Sequence, residues 1–120
     1  MSKTVRIAPP NSLLFVSDQK WGDPIDFKII KPIMWNRTSV AICCLMSQDG
    51  ETEVTLGSAD EVNPGWPPAF DDVITASRSV VVSTSERMIL LEYPVQTSHS
   101  KITVWTNREK EPDRVVIGVG

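Results

Sequence analysis

The pattern that most constrains this chain runs from Phe70 to Thr106. It reads as Phe70–Val82, then Arg87–Tyr93, then Lys101–Thr106, three runs rich in β-branched and aromatic residues, with polar breaks at 83–86 and 94–100. No 3.6-residue apolar repeat runs through them, so the pattern predicts three successive strands rather than a helix.

The remainder follows the same rule. Lys3–Ile7 and Ser12–Ser17 flank Ala8-Pro9-Pro10-Asn11, whose prolines remove ladder donors, and are expected as edge or opening strands. After a loop at 18–24 containing Trp21, Ile25, Phe27 and Ile29 alternate with Asp26 and Lys28, which predicts a strand with its apolar face in the core. Val40, Ile42, Cys44 and Met46 share one face. Ser47-Gln48-Asp49-Gly50 is a turn signal, and Thr52, Val54 and Leu56 point back inward, so 40–56 predicts a hairpin. Residues 57–68, with three prolines and two glycines, are expected to be irregular and to cross between sheets. A charged turn at 109–113 precedes a last strand with Val115, Ile117 and Val119 on one face. The sum is about eight or nine short strands in one domain over residues 1–120. That is an all-β, two-layer antiparallel β-sandwich or flattened barrel.

Charge and cysteine usage narrow the partners. Twelve basic and 15 acidic side chains leave a net charge of -3, and no basic stripe or tail occurs. Phosphate backbones would be repelled, so nucleic acid is not expected as a partner, whereas a basic protein is. No apolar run approaches the ~18 residues of a membrane span, and no secretory core follows Met1, so a cytosolic location is expected. Cys43 and Cys44 are adjacent in a strand, which places one in the core and one outward as reduced thiols. Asn36-Arg37-Thr38 fits a glycosylation sequon, read here as coincidence.

Motifs for chemistry are sparse. His99 is the single histidine, so a Cys43 or Cys44 nucleophile with His99 as base is the one available pairing, weaker than a solvated histidine and structural thiols. Asp71-Asp72 lacks the partnering oxygen-rich loop of a calcium site and reads as turn carboxylates. No catalytic residue, metal or cofactor is expected.

Tryptophan is the more informative residue. Trp105 shares its strand face with Lys101 and Thr103, opposite Ile102 and Val104, which predicts an outward ring. Trp66 lies in a Gly/Pro-rich loop, and Trp35 precedes the Asn-Arg-Thr turn. Exposed indoles anchor partners efficiently; the competing reading is that such rings cap the sandwich or fill the space under a long loop.

The segment Phe70-Asp71-Asp72-Val73-Ile74-Thr75-Ala76-Ser77, with Arg87–Pro94 and Lys101–Thr106, resembles the C-terminal half of small bacterial β-sandwich proteins related to competence protein J, an inhibitor of a competence-associated nuclease. Here Pro94–Ser100 replaces the Pro-Gly-x-Tyr that opens the last strand in those proteins, so the resemblance assigns no binding residue. It implies an inhibitor or immunity-type protein that masks a basic partner such as a nuclease. Trp66 and Trp105 would be the apolar anchors, and Asp71, Asp72 and Glu92 the charges. A self-associating structural subunit, or a module stacking sugars on Trp66 and Trp105, are the alternatives.

Overall fold

The computed structural model describes residues 2–20, 22–76 and 78–120. The loop position expected for Trp21, and Ser77 of the Ala-Ser pair, lie outside the described residues. The strands are β1 (Lys3–Ile7), β2 (Leu13–Asp18), β3 (Ile33–Trp35), β4 (Ser39–Cys43), β5 (Thr52–Ser58), β6 (Phe70–Thr75), β7 (Ser79–Thr84), β8 (Ile89–Pro94), β9 (His99–Thr106) and β10 (Arg114–Val119). One helical turn, α1 (Ala59–Val62), follows β5. One sheet has the order β1-β5-β10-β9-β6 and the other β3-β4-β2-β7-β8. The two-layer sandwich is as expected, with ten strands in place of eight or nine.

Alternation predicts the inward residues well. Leu14, Val16, Val40, Ile42, Val54, Leu56, Val80, Val82, Ile102, Val104, Val115 and Ile117 form one sealed core between the sheets. Each such side chain contributes about 1.5–3 kcal/mol relative to exposure. Cys44 joins that core, while Cys43 faces partly outward.

Connectivity departs from the sequence reading in several places. Residues 40–56 are not a hairpin: β4 pairs with β2 and β3, whereas β5 lies in the opposite sheet between β1 and β10. Facing strands across a core and neighbours in one sheet share the same period, and alternation does not tell them apart. Leu45 N–H to Pro112 O (3.0 Å) and Glu53 N–H to Asp113 O (2.8 Å) tie this crossing to the 112–113 loop. Conversely, 57–68 does not cross between sheets, since β5 and β6 belong to the same one, and it contains α1. Phe70–Val82 is two strands: β6 pairs with β9, and β7 with β2 and β8. The β5–β10 pair is parallel, so the sandwich is not wholly antiparallel. β1 is an edge strand as expected, but β2 is central.

The expected strand at 25–29 is absent. Asp26 Oδ1 accepts the Lys28 N–H at 2.9 Å, an Asx-type turn that withdraws a ladder donor. Phe27 and Ile29 are exposed rather than buried. The short strand β3 takes its place after Pro32. Asn36 holds the preceding loop: its Nδ2 donates to Asp23 O (3.1 Å) and Pro24 O (3.2 Å). Its Oδ1 accepts from Thr38 N–H and Ser39 N–H, both at 2.9 Å.

Candidate functional site

The two sheets meet differently along their two sides. β8 lies against β1 and β5 on one side. On the other, edge strand β3 faces edge strand β6, and Trp35 packs edge-on against Phe70, ring centroids 5.1 Å apart and planes at 62°. Trp35 nevertheless remains 55% exposed, because nothing covers its outer half. It caps the sandwich and stays available at the same time.

Beside Trp35 opens a cleft of about 470 Å³. Pro32 and Ile33 line it from the β3 sheet, Pro67, Ala69 and Pro112 from the other, and Lys31, Arg108 and Glu109 bring charge to it. Two shallower hollows adjoin it through Lys31: one lined by Ile30 and Lys110, the other by Ile29 and Met34. Ile29 is 72% exposed and Ile30 66%. This group of large exposed apolar side chains around the cleft is the candidate interaction surface. Its residues come from 29–35, 67–69 and 108–112, and sequence reasoning missed it by assigning Ile29 to the core. The signal that was available is the pair Pro24 and Pro32 around an Ile-Ile dipeptide, which argues against a buried strand.

The residues expected to bind a partner are not brought together. Trp105 is indeed on the outer side of its strand, but it is only 4% exposed, because α1 and Gly118 close over it. Alternation gives the side of a sheet, not whether a later segment covers it. Trp66 is half-buried, with the Arg114 guanidinium 5.1 Å from its ring centre. A sugar platform made from Trp66 and Trp105 is therefore excluded by the burial of Trp105.

Each of the three carboxylates is engaged within the chain. Asp71 lies 3.6 Å from Lys101 Nζ and accepts from Thr103 Oγ1 at 3.3 Å. Asp72 accepts the N–H of Val73 at 2.7 Å, occupying a donor on edge strand β6. Glu92 accepts from Ser79 Oγ at 2.6 Å. It pairs with Val81 in the β3-β4-β2-β7-β8 sheet, in the opposite layer from Asp71.

The other chemical candidates also separate. Cys43 lines the cleft together with Thr106, at the far end of β9 from His99, roughly 23 Å away at the usual strand rise of ~3.3 Å per residue. Burial raises the Cys43 thiol above its ordinary range, the reverse of what a nucleophile needs. Among the described residues no group of three or more His, Cys, Asp or Glu side chains is placed to hold a metal ion, and no helix is long and apolar enough to cross a membrane.

No family model matches the chain, and no curated protein matches it in sequence. In structure it is similar to ComJ from Bacillus subtilis, described as an inhibitor of the DNA degrading activity of NucA. The TM-score is 0.69, and the superposition covers 99% of this chain and 96% of that one at 10% identity. The likeness is one of fold, and it extends the resemblance seen at residues 70–106 to the whole architecture.

Proposed function

We propose that this chain is a non-enzymatic, inhibitor-type binding protein that masks the surface of a partner protein, and that the partner is a DNA-degrading enzyme. The observation that carries this reading is the exposed apolar surface formed by Ile29, Ile30 and Trp35 beside the cleft, where the two most exposed large apolar side chains of the described residues, Ile29 and Ile30, lie. A rigid sandwich presents these side chains with little further ordering cost, which favours tight binding. An indole in such a setting is a common energetic centre of an interface, with losses of ~2 kcal/mol or more on truncation. The fold likeness to ComJ supports the partner class. The net charge of -3 favours encounter with a basic enzyme in the cytosol, and that advantage falls with salt.

The test is capture from the host lysate with the chain as bait, followed by a DNA-degradation assay. The expected result is a captured basic protein whose DNA degradation stops when the chain is in excess, with Trp35→Ala weakening the block at least tenfold. Capture of the chain's own copies alone, seen as self-association in light scattering, would replace this reading with that of an assembly subunit.

A further inference from the structure

We infer that the cleft beside Trp35 receives an acidic, apolar segment of the partner: an apolar side chain enters the cleft, and a neighbouring carboxylate lies against Lys31 and Arg108. This rests on the binding reading above and specifies what the contact recognises.

The cleft's volume of about 470 Å³ exceeds what one large side chain needs, and its proline, isoleucine and tryptophan walls suit an apolar one. Its charges are not balanced. Lys31 and Arg108 both line it, and neither forms an ion pair among the described residues. Arg108 is oriented: its Nε–H donates to Glu111 O at 2.9 Å, leaving the other guanidinium donors open for a carboxylate. The backbone at Lys31 is pinned as well, because Cys43 N–H donates to Pro32 O at 2.9 Å and Cys43 Sγ to Lys31 O at 3.4 Å. Glu109 is the one carboxylate in the cleft, so two cations face one anion. A basic segment would meet that excess positive charge, whereas an acidic one would complement it. The overall negative charge acts at long range on the encounter, and these two cations act at contact on what is seated.

The experiment uses the full chain and three blocked peptides with the same Phe-Leu centre, flanked by Asp and Glu, by Asn and Gln, or by Lys on both sides. Binding is read from NMR shifts of the Trp35 indole N–H and the Cys43 amide. The acidic peptide should bind about three- to tenfold more tightly than the neutral one, the range for two exposed ion pairs, and the lysine peptide more weakly than either. Lys31→Glu with Arg108→Glu should reverse that order, and Trp35→Ala should weaken all three. Equal affinities, a preference for the lysine peptide, or shifts absent from Trp35 and Cys43 would overturn the inference. The doubly charge-reversed chain also separates the two proposals. If it blocks DNA degradation as well as the native chain, the cleft assignment is wrong while the inhibitor reading stands. If the native chain binds the acidic peptide but blocks no DNA degradation, the reverse holds.

Discussion

Gly57 and Gly118 lie directly opposite one another on the parallel strands β5 and β10, both beneath the 59–62 turn. A Cβ on Gly118 would sit 2.8 Å from Ala59 Cα and 2.8 Å from Trp105 Cζ3, and one on Gly57 would sit 2.8 Å from Val62 Cγ1 and from Ser2 Cβ. The pair creates the shallow bed in which α1 rests, and with it the burial of Trp105. Substituting alanine at either position forces α1 outward at a cost of about 1–3 kcal/mol, typical of overpacking. Urea unfolding should show lowered midpoints for Gly57→Ala and Gly118→Ala, and unchanged midpoints would mean that α1 moves aside freely.

The two tryptophans on this side should separate in stability. Trp105→Ala removes a sealed side chain and is expected to cost about 3–5 kcal/mol. Trp66→Ala loses a half-exposed stacking contact with Arg114, about 0.5–1 kcal/mol. Equal effects in denaturant titrations would contradict the burial of Trp105.

Thiol chemistry reads the β4 end directly. Cys43 should react with a thiol reagent in the native chain, slowly near neutral pH because burial raises its pKa. Cys44, 2% exposed, should react only on unfolding. Quantitative labelling with and without urea would show one thiol, then two; both reacting natively would be inconsistent with a sealed core.

Cys44 also predicts a stability slope at high pH. Burial, and secondarily the neighbouring Cys43 thiol, push it from 9.0 up to about 12. The native chain therefore keeps a proton that the unfolded chain loses. Stability from this group is fully present below pH 9 and falls between pH 9 and about 12, by at most about 1.4 kcal/mol per pH unit. Cys44→Ala should be less stable at neutral pH yet show a flatter decline across that window in urea titrations. Parallel declines would mean that the thiol does not contribute to the slope.

Asn36 ties residues 23–24 to the β3–β4 turn, and both of its Nδ2 protons are used in doing so. Asn36→Ala leaves Pro24 O and the Thr38 and Ser39 N–H groups without their protein partner, at about 1–3 kcal/mol, while Asp23 O keeps only the longer bond from Ser39 Oγ at 3.3 Å. Limited proteolysis should then cut within 22–30 well before the native chain is cut there. An unaltered cleavage pattern would show that the loop is held by other contacts.

Much of the fold was legible locally because burial on a strand has a period of two. Val54 and Leu56, Ile102 and Val104, and Val115, Ile117 and Val119 all face inward as their spacing requires, and Cys44 follows Val40 and Ile42 into the core. The same rule failed at Ile25–Ile29, where the Asp26 side chain competes for a backbone donor and turns the chain. The cleft was not legible, since Trp35, Pro67 and Pro112 are distant in sequence and meet only where the two sheet edges come together.

The sequence by itself determined that the chain is a two-layer β-structure and which side of most strands is apolar, because those properties depend on neighbours one and two residues away. Only the tertiary structure decided which strands pair, that β5 and β10 run parallel, that α1 seals Trp105, and that Trp35 is left in the open. Those outcomes depend on which distant segment arrives to cover a given face, and alternation along a strand carries no information about that.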